Sequence, residues 1–283
     1  SVGSGSLCRA PPWTAQALAG CWEGAEGKRL PSGMDGLNNG FRARLLEEDC
    51  CSFYTPPELP QSSFWSLLCC AHDRLALPQG AREALGSLQQ RALVPFDSAT
   101  PGHEELLKQY FRGCTGEEAP NGQKDPRWKE LGFQAEDPRT DFRGGGLLAL
   151  ECMDFMAERH QQLLKQMLQE SRQPGCEYPF SAMIINACFE LSAWLHVDTR
   201  RMGNGCSGSA YSLFAELIAR EQYAFEALTI CMVIQLHEEW RKGGRTLLEM
   251  GECLSAAKRR VASFLEQQHA TEVALDKLRA LQL

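Results

Sequence analysis

The sequence predicts an all-α protein, a helical bundle of antiparallel helices with one Gly-rich loop pinned against it. Three observations support this prediction. Apolar residues recur at positions i, i+3 and i+4 over most of the chain, as they do on the buried face of a helix. Convincing alternation with a period of two, which is typical of strands, is absent. The connections are short and contain Pro and Gly, which favours antiparallel packing of neighbouring helices.

The first helices are predicted in the region before residue 115. Apolar spacing predicts helices from Ser63 to Leu77 and from Ala81 to Val94, and a proline follows each segment. Thr100 is a suitable N-cap, and Pro101 occupies the first helical position, where a missing N–H has no consequence. We expect this third helix to end at Gly113.

The second half of the chain predicts longer helices. The apolar stripe from Leu147 to about Glu170 is typical of one long amphipathic helix, which the Pro174-Gly175 pair ends. Further helices are predicted at Phe180 to Leu195, at Ser209 to Trp240 with an internal break, at Thr246 to Gln268 and at Thr271 to Leu281.

Composition and charge exclude several classes of protein. The chain has 283 residues, of which 43% are apolar and 23% charged, as in an ordinary globular protein. Its formal net charge of −7 argues against a general nucleic-acid binder and leaves only a local basic patch open. No apolar run approaches the ~20 residues that a membrane-spanning helix needs. We therefore expect no transmembrane segment, while peripheral recruitment to a membrane stays open.

The cysteines indicate buried thiols rather than disulfides. The chain has 13 cysteines, an odd number, and none forms a CxxC pair. Several are predicted to be small core residues, namely Cys152, Cys188, Cys231 and Cys253. The doublets Cys50-Cys51 and Cys69-Cys70, with His72 nearby, match no common zinc-finger spacing. We expect a reducing, cytoplasmic compartment and neither a metal nor a cofactor.

Two other patterns do not amount to an enzyme site. Gly203 to Gly208 fits GxGxxG but follows a predicted helix, whereas a dinucleotide fold requires a preceding strand. His237-Glu238-Glu239 lacks a second histidine one turn away, so we interpret it as a solvated helix end. No P-loop, kinase signature or GxSxG elbow is present.

The segment from Trp128 to Gly146, which we call the signature segment, has an unusual composition. Its aromatic residues, Trp128, Phe133 and Phe142, flank a turn at Asp137-Pro138. We expect these side chains to be largely buried and to hold an otherwise irregular loop against the helices.

The end of this segment combines charge with unusual backbone freedom. Arg143 precedes Gly144, Gly145 and Gly146, which permit close approach of another backbone and supply free N–H groups at the start of the next helix. Such a place suits an anion. Alternatively, Arg143 caps a neighbouring helix or pairs with a carboxylate within the fold. Asp141 similarly suits an Asx hydrogen bond in the turn, and Gln134 suits a bond to loop backbone.

These residues resemble the signature of the ELMO (engulfment and cell motility) domain family. The family pattern is Trp-x3-Gly-Phe-Gln-x3-Pro-x-Thr-Asp-Phe-Arg-Gly-x-Gly, and the signature segment matches it at every defined position. The resemblance extends over roughly residues 100–268, including His103-Glu104 and Tyr178-Pro179-Phe180. Departures are modest; the main one is Asp154, in an apolar neighbourhood where the family frequently has Tyr.

The resemblance implies a domain organisation and a function. Composition and apolar spacing predict a flexible tail at 1–12 and an N-terminal helical region at 13–99, and the resemblance implies an ELMO domain at 100–283. The length and the presence of Arg143 match the short branch of the family, whose members are GTPase-activating proteins for Arf and Arf-like GTPases. Arg143 is then the catalytic arginine, and the expected partner-binding residues are Gln134, Asp141, Gly144, Gly145 and Gly146. The alternative is a non-catalytic adaptor or scaffold in small-GTPase signalling, trafficking or a ciliary assembly.

Overall fold

A computed structural model describes residues 77–121, 124–201, 205–206, 208–267 and 271–282. Within these ranges there are ten α-helices, two short 3-10 helices and no strand, so the all-α prediction is confirmed. The α-helices are α1 (Gln79–Ala92), α2 (Pro101–Thr115), α3 (Pro126–Glu130), α4 (Gly146–Arg159), α5 (Gln161–Glu170), α6 (Phe180–Trp194), α7 (Gly208–Arg220), α8 (Ala224–Arg241), α9 (Met250–Gln267) and α10 (Thr271–Gln282). The 3-10 helices are Pro138–Arg143 and Leu247–Glu249. The predicted tail, the helix predicted from Ser63 and the cysteine doublets lie outside the described residues.

The core is built around α4 and α8. Helix α4 contacts α1, α2, α5, α6 and α8, while α8 contacts α4, α6, α7, α9 and α10. Almost every side chain of α8 is buried, which explains why its sequence is mostly apolar on all faces before its last turn, with Glu226, Thr229 and Gln235 as buried exceptions. The cysteines predicted to be small core residues are buried, and none of them forms a disulfide.

Helix α2 passes the glycine at which we expected it to end. It continues to Thr115 and ends in Gly116, whose φ of +77° gives the left-handed C-cap that favours glycine. Gly113 instead serves helix packing, because a Cβ there would lie 2.6 Å from the Cβ of Ala157 on α4. The prediction was wrong because it interpreted a contact between two helices as a terminator.

The single helix expected from Leu147 to Glu170 is two helices. His160 has φ −128° and ψ 37°, outside the helical range, and separates α4 from α5. The break loses no bond at this residue, since the His160 N–H donates to Met156 O and its carbonyl accepts from Leu164 N, both at 2.9 Å. The change of direction allows α4 and α5 both to pack against α2.

His237 lies in the core, contrary to the solvated helix end that we expected. Its side chain is only 5% exposed. Nδ1 lies 2.5 Å from Tyr178 Oη, and Nε2 lies 2.8 Å from Glu170 Oε2, which also contacts Arg241 Nη1 at 2.8 Å. A neutral imidazole accepts from the tyrosine and donates to the carboxylate. The network joins the end of α5 and the segment before α6 to α8.

Candidate functional site

The signature segment is anchored by a cluster of aromatic rings. Trp128, Phe133 and Phe142 are 3%, 3% and 1% exposed, as predicted. Trp128 makes edge contacts with Phe111 and Phe133, with ring centroids 4.9 and 5.7 Å apart, and Phe133 contacts Phe142 at 6.1 Å. Edge-to-face pairs of this kind add to the hydrophobic free energy of burial. The loop is therefore fixed to the bundle at three points.

Gly132 allows the segment to lie directly against the start of α6. Its φ is +85°, and a Cβ at this position would lie 2.2 Å from the backbone nitrogen of Phe180. The carbonyls of Leu131 and Gly132 accept hydrogen bonds from Ser181 N and Ala182 N at 3.3 and 3.1 Å. These N–H groups belong to the first turn of a helix, where backbone N–H groups have no acceptor within the helix. The loop thus caps α6.

Two aspartates close the loop from within. Asp137 caps the 3-10 helix by accepting from Arg139 N, and it also pairs with the Arg139 guanidinium at 2.5 Å. Asp141 is 5% exposed, and its Oδ2 accepts from the backbone N–H of Gln134 at 2.8 Å. Burial raises the pKa of Asp141 above its ordinary value. The structure thus brings Asp141 and Gln134 together, but the contact uses the backbone of Gln134. The Gln134 side chain is exposed.

The three glycines face the chain's own helices. Gly146 has φ +58°, and a Cβ there would lie 2.7 Å from the carbonyl oxygen of Val94. That oxygen accepts from the N–H of Leu147 at 3.0 Å, so this N–H at the helix start is occupied rather than free. A Cβ on Gly145 would lie 2.5 Å from that of Ala149. The backbone that approaches here is the connection after α1.

Arg201 supports the glycine turn, and sequence reasoning missed it. Its Nη2 donates to Gly144 O at 2.9 Å, its Nε lies 3.0 Å from Asp198 Oδ2, and its guanidinium carbon lies 3.2 Å from the centre of the Phe189 ring. Burial lowers the pKa of Arg201. Arg201 lies 57 residues after Gly144 in the chain, so no local sequence pattern links the two positions.

Arg143 differs from the other arginines around the loop. Its side chain is exposed, and it makes no hydrogen bond or ion pair with any residue of the described structure, although its charge opposes the rise in the pKa of the nearby Asp141. In contrast, Arg139 is paired with Asp137, and both Arg200 and Arg201 are paired with Asp198. A fixed turn therefore presents one uncommitted guanidinium to solvent. Such a group can bind an external anion, such as a carboxylate or a phosphate.

Two other features are absent from the described part of the chain. No group of three or more His, Cys, Asp or Glu side chains there is placed to hold a metal ion. None of the described helices is both long and apolar enough to cross a bilayer.

Comparison with known proteins gives a consistent match. The family model described as "ELMO/CED-12 family" matches residues 86–254. ELMO domain-containing protein 1 of Pongo abelii is 35% identical over 97 residues, which are 34% of this chain and 30% of the relative. ELMO domain-containing protein 2 of Homo sapiens is 35% identical over 92 residues, 32% of this chain and 31% of the relative. ELMO domain-containing protein C of Dictyostelium discoideum is 33% identical over 159 residues, 54% of this chain and 25% of the relative.

The chain thus spans about a third or less of the length of these relatives. No solved structure matches it significantly.

Proposed function

The chain belongs to the ELMO/CED-12 family, and on that premise we propose that it stimulates GTP hydrolysis by a small GTPase of the Arf or Arf-like family. In this proposal Arg143 enters the partner's nucleotide site and acts in trans. The observation that supports it is the exposed, unpaired Arg143 at the end of a loop that is otherwise held rigidly.

Phosphoryl transfer explains why one arginine suffices. Negative charge spreads over the phosphoryl oxygens in the transition state, and a positioned guanidinium stabilises that charge. An arginine supplied by an activating protein accelerates hydrolysis roughly 10³ to 10⁵-fold, equivalent to about 4 to 7 kcal/mol of barrier. The planar group can contact two oxygens at once.

The surroundings of Arg143 favour this role over a structural one. A guanidinium already paired inside the fold must break that pair before it enters another protein, and breaking a buried pair costs about 3 to 5 kcal/mol. Arg139 and Arg201 are each paired with an aspartate, so either would first have to break that pair. Arg143 has no such pair. Its backbone is held on one side by Phe142 and on the other by Arg201 at Gly144.

The other proposed partner-binding residues divide by exposure. Gln134 is exposed and Gly144 and Gly145 are partly exposed, so these three form the contact surface next to Arg143. Asp141 and Gly146 are buried, so they contribute to partner binding indirectly, by fixing the shape of the loop.

The test is single-turnover GTP hydrolysis by a panel of Arf-family GTPases, with and without this protein. We expect at least one GTPase to be stimulated, and Arg143→Ala to remove the stimulation while leaving most of the binding. Arg82→Ala is the matched control, because Arg82 is an exposed arginine on α1 outside the signature segment. Binding without any stimulation by the parent protein would identify the adaptor alternative instead.

A further inference from the structure

The connection between α1 and α2, residues 93–100, exposes apolar surface. Val94 is 37% exposed and is one of four large apolar side chains that are exposed in the described part of the chain. Pro95 after it is exposed, and Phe96 is half-buried. Single exposed apolar residues are common on protein surfaces and indicate nothing by themselves. These three are consecutive, so their place in the fold decides what they indicate.

The connection contacts the chain on both sides of Arg143. The carbonyl oxygen of Val94 accepts from the N–H of Leu147 at 3.0 Å, and the centroid of the Phe96 ring lies 5.0 Å from that of Phe142. Phe142 immediately precedes Arg143, and Leu147 follows it by four residues. Four residues of chain span at most about 14 Å. The apolar surface therefore lies beside the segment that carries the exposed arginine.

This connection is also held in one conformation. Asp97 Oδ1 accepts from the backbone N–H of Ala99 at 2.9 Å, and the backbone N–H of Asp97 donates to His103 Nδ1 at 3.1 Å. Arg139, in the signature segment, donates from Nη1 to Ser98 Oγ at 3.4 Å. A surface that is already ordered loses little conformational entropy when a partner covers it.

The backbone of Val94 is already satisfied inside the fold. Its N–H donates to Arg91 O at 3.1 Å, its carbonyl accepts from Leu147 N, and Pro95 has no N–H. Covering a polar group that lacks a partner costs free energy, and none of these three positions presents such a group. An apolar surface of a partner therefore fits here better than a polar one.

An apolar contact beside Arg143 would also strengthen the effect of the arginine. A positive charge stabilises phosphoryl oxygens more strongly where water is excluded. Apolar contacts around a central arginine are a common means of excluding water from an interface. An interface of ordinary size buries about 800 Å² on each partner, so one centred on Arg143 extends roughly 16 Å from it. Phe96, whose ring contacts the residue before Arg143, lies within that reach.

We propose that Val94, Pro95 and Phe96 form a docking surface for the small GTPase, and that this surface receives an apolar patch beside the GTPase's nucleotide site. The inference rests on the proposed function and extends it, because it names a second contact and the kind of partner surface that fits it. Arg143 supplies the charge that matches the phosphates. The α1–α2 connection supplies affinity and excludes water.

Two substitutions at Val94 test this surface, because the hydrogen bonds that fix Val94 are made by its backbone. Val94→Asp and Val94→Lys should both raise the Kd about tenfold or more, since each replaces an apolar contact with a charge. The Kd is measured by biolayer interferometry with Arf-family GTPases that carry a non-hydrolysable GTP analogue. In single-turnover hydrolysis at saturating protein, the maximal rate should fall by less than about twofold. Arg143→Ala should instead lower the rate and change the Kd little.

Leu248→Asp is the matched control. Leu248 is 53% exposed and lies on the 3-10 helix Leu247–Glu249, outside the signature segment and the α1–α2 connection. This variant should bind the GTPase like the parent protein. Circular dichroism melting curves of all the variants establish that each is folded before its Kd is compared.

Three results would overturn the docking surface alone. The first is an unchanged Kd in folded Val94→Asp and Val94→Lys. The second is tighter binding by Val94→Lys, which would mean that attraction to the phosphates dominates at this position. The third is an equal loss of affinity in Leu248→Asp, which would mean that exposed apolar residues act without regard to their place.

The outcomes also separate this inference from the proposed function. Binding without stimulation by the parent protein contradicts the proposed function, while the Kd comparison still decides the docking surface. Stimulation by the parent with an unchanged Kd in the Val94 variants contradicts the docking surface only. If no Arf-family GTPase binds the parent protein, both are wrong.

Discussion

The Oδ2 atom of Asp141 accepts a hydrogen bond from the backbone N–H of Gln134 at 2.8 Å, across the turn that precedes Arg143. This bond joins the two ends of the loop between Phe133 and Phe142. Asp141 therefore contributes to loop shape as an acceptor, even though burial raises the pKa of its carboxyl and so opposes its charge.

Replacing Asp141 should separate these two effects. We expect Asp141→Ala to lower the free energy of unfolding by about 1 to 3 kcal/mol, because the Gln134 N–H loses its acceptor. Asp141→Asn should lower it less, because the amide keeps an acceptor oxygen and removes a charge that burial disfavours. Urea unfolding of both variants measures the difference. Equal losses would show that the charge, not the acceptor, is what the loop requires.

The aromatic anchors should control both stability and activity. Phe142 is 1% exposed, so Phe142→Ala should cost about 3 to 5 kcal/mol through lost burial and a cavity. Phe142→Leu retains much of the apolar volume and should cost less. If Phe142→Ala melts like the parent protein in calorimetry, this ring does not anchor the loop.

The glycine turn should be sensitive to a single methyl group. Gly146→Ala combines a φ of +58° with a Cβ 2.7 Å from Val94 O, whereas Gly175→Ala has a φ of +83° but open space around its Cβ. Both substitutions incur the left-handed penalty of about 1 to 2 kcal/mol. We expect Gly146→Ala to be the more destabilising in chemical unfolding. Equal effects would mean that the contact with Val94 relaxes freely.

The His237 network should make stability depend on acid pH. Burial lowers the pKa of His237 despite its contact with Glu170, and the pKa of Glu170 is also lowered by His237, Gln166 and Arg241 despite burial. At these two groups the unfolded chain therefore binds more protons than the folded protein, so the stability they contribute is complete above about pH 6.5 and is lost as the pH falls below it. His160 contributes in the same direction, because burial lowers its pKa as well.

The measurement is the free energy of unfolding between pH 7.5 and 5.5. His237→Gln should show a smaller decrease over this range than the parent protein, because the variant lacks one of the two described histidines whose pKa is lowered by burial. A decrease of the same size in both proteins would assign the effect to other groups.

Arg143→Lys should distinguish charge from geometry in the proposed function. Lysine keeps the positive charge but loses the planar fork, so stimulated hydrolysis should fall nearly as far as in Arg143→Ala. Because Arg143 is exposed and makes no hydrogen bond or ion pair in the described structure, the free energy of unfolding should change by less than about 0.5 kcal/mol. Full stimulation by the lysine variant would rule out two-oxygen contact. A large loss of stability would assign Arg143 to the fold.

Much of the candidate site could be predicted because its information is local. Trp128, Phe133 and Phe142 lie within 15 residues of one another, and their burial follows from aromatic side chains in a segment that lacks regular periodicity. The place of Arg143 beside the glycines is likewise visible in the sequence. The contacts that hold the turn were not, because Arg201 and Val94 approach it from 57 and 53 residues away along the chain.

The sequence by itself determined that this protein is helical, where most helices lie, and which segment carries the family signature, since periodicity and short motifs are properties of neighbouring residues. Tertiary structure alone decided that Gly113 packs against α4, that the chain turns at His160, and that His237 is buried. It also decided that Arg91 meets Glu226, 135 residues later. Each of these contacts depends on which helices pack together. Helix packing joins residues that are far apart in the chain, so no local sequence pattern reveals it.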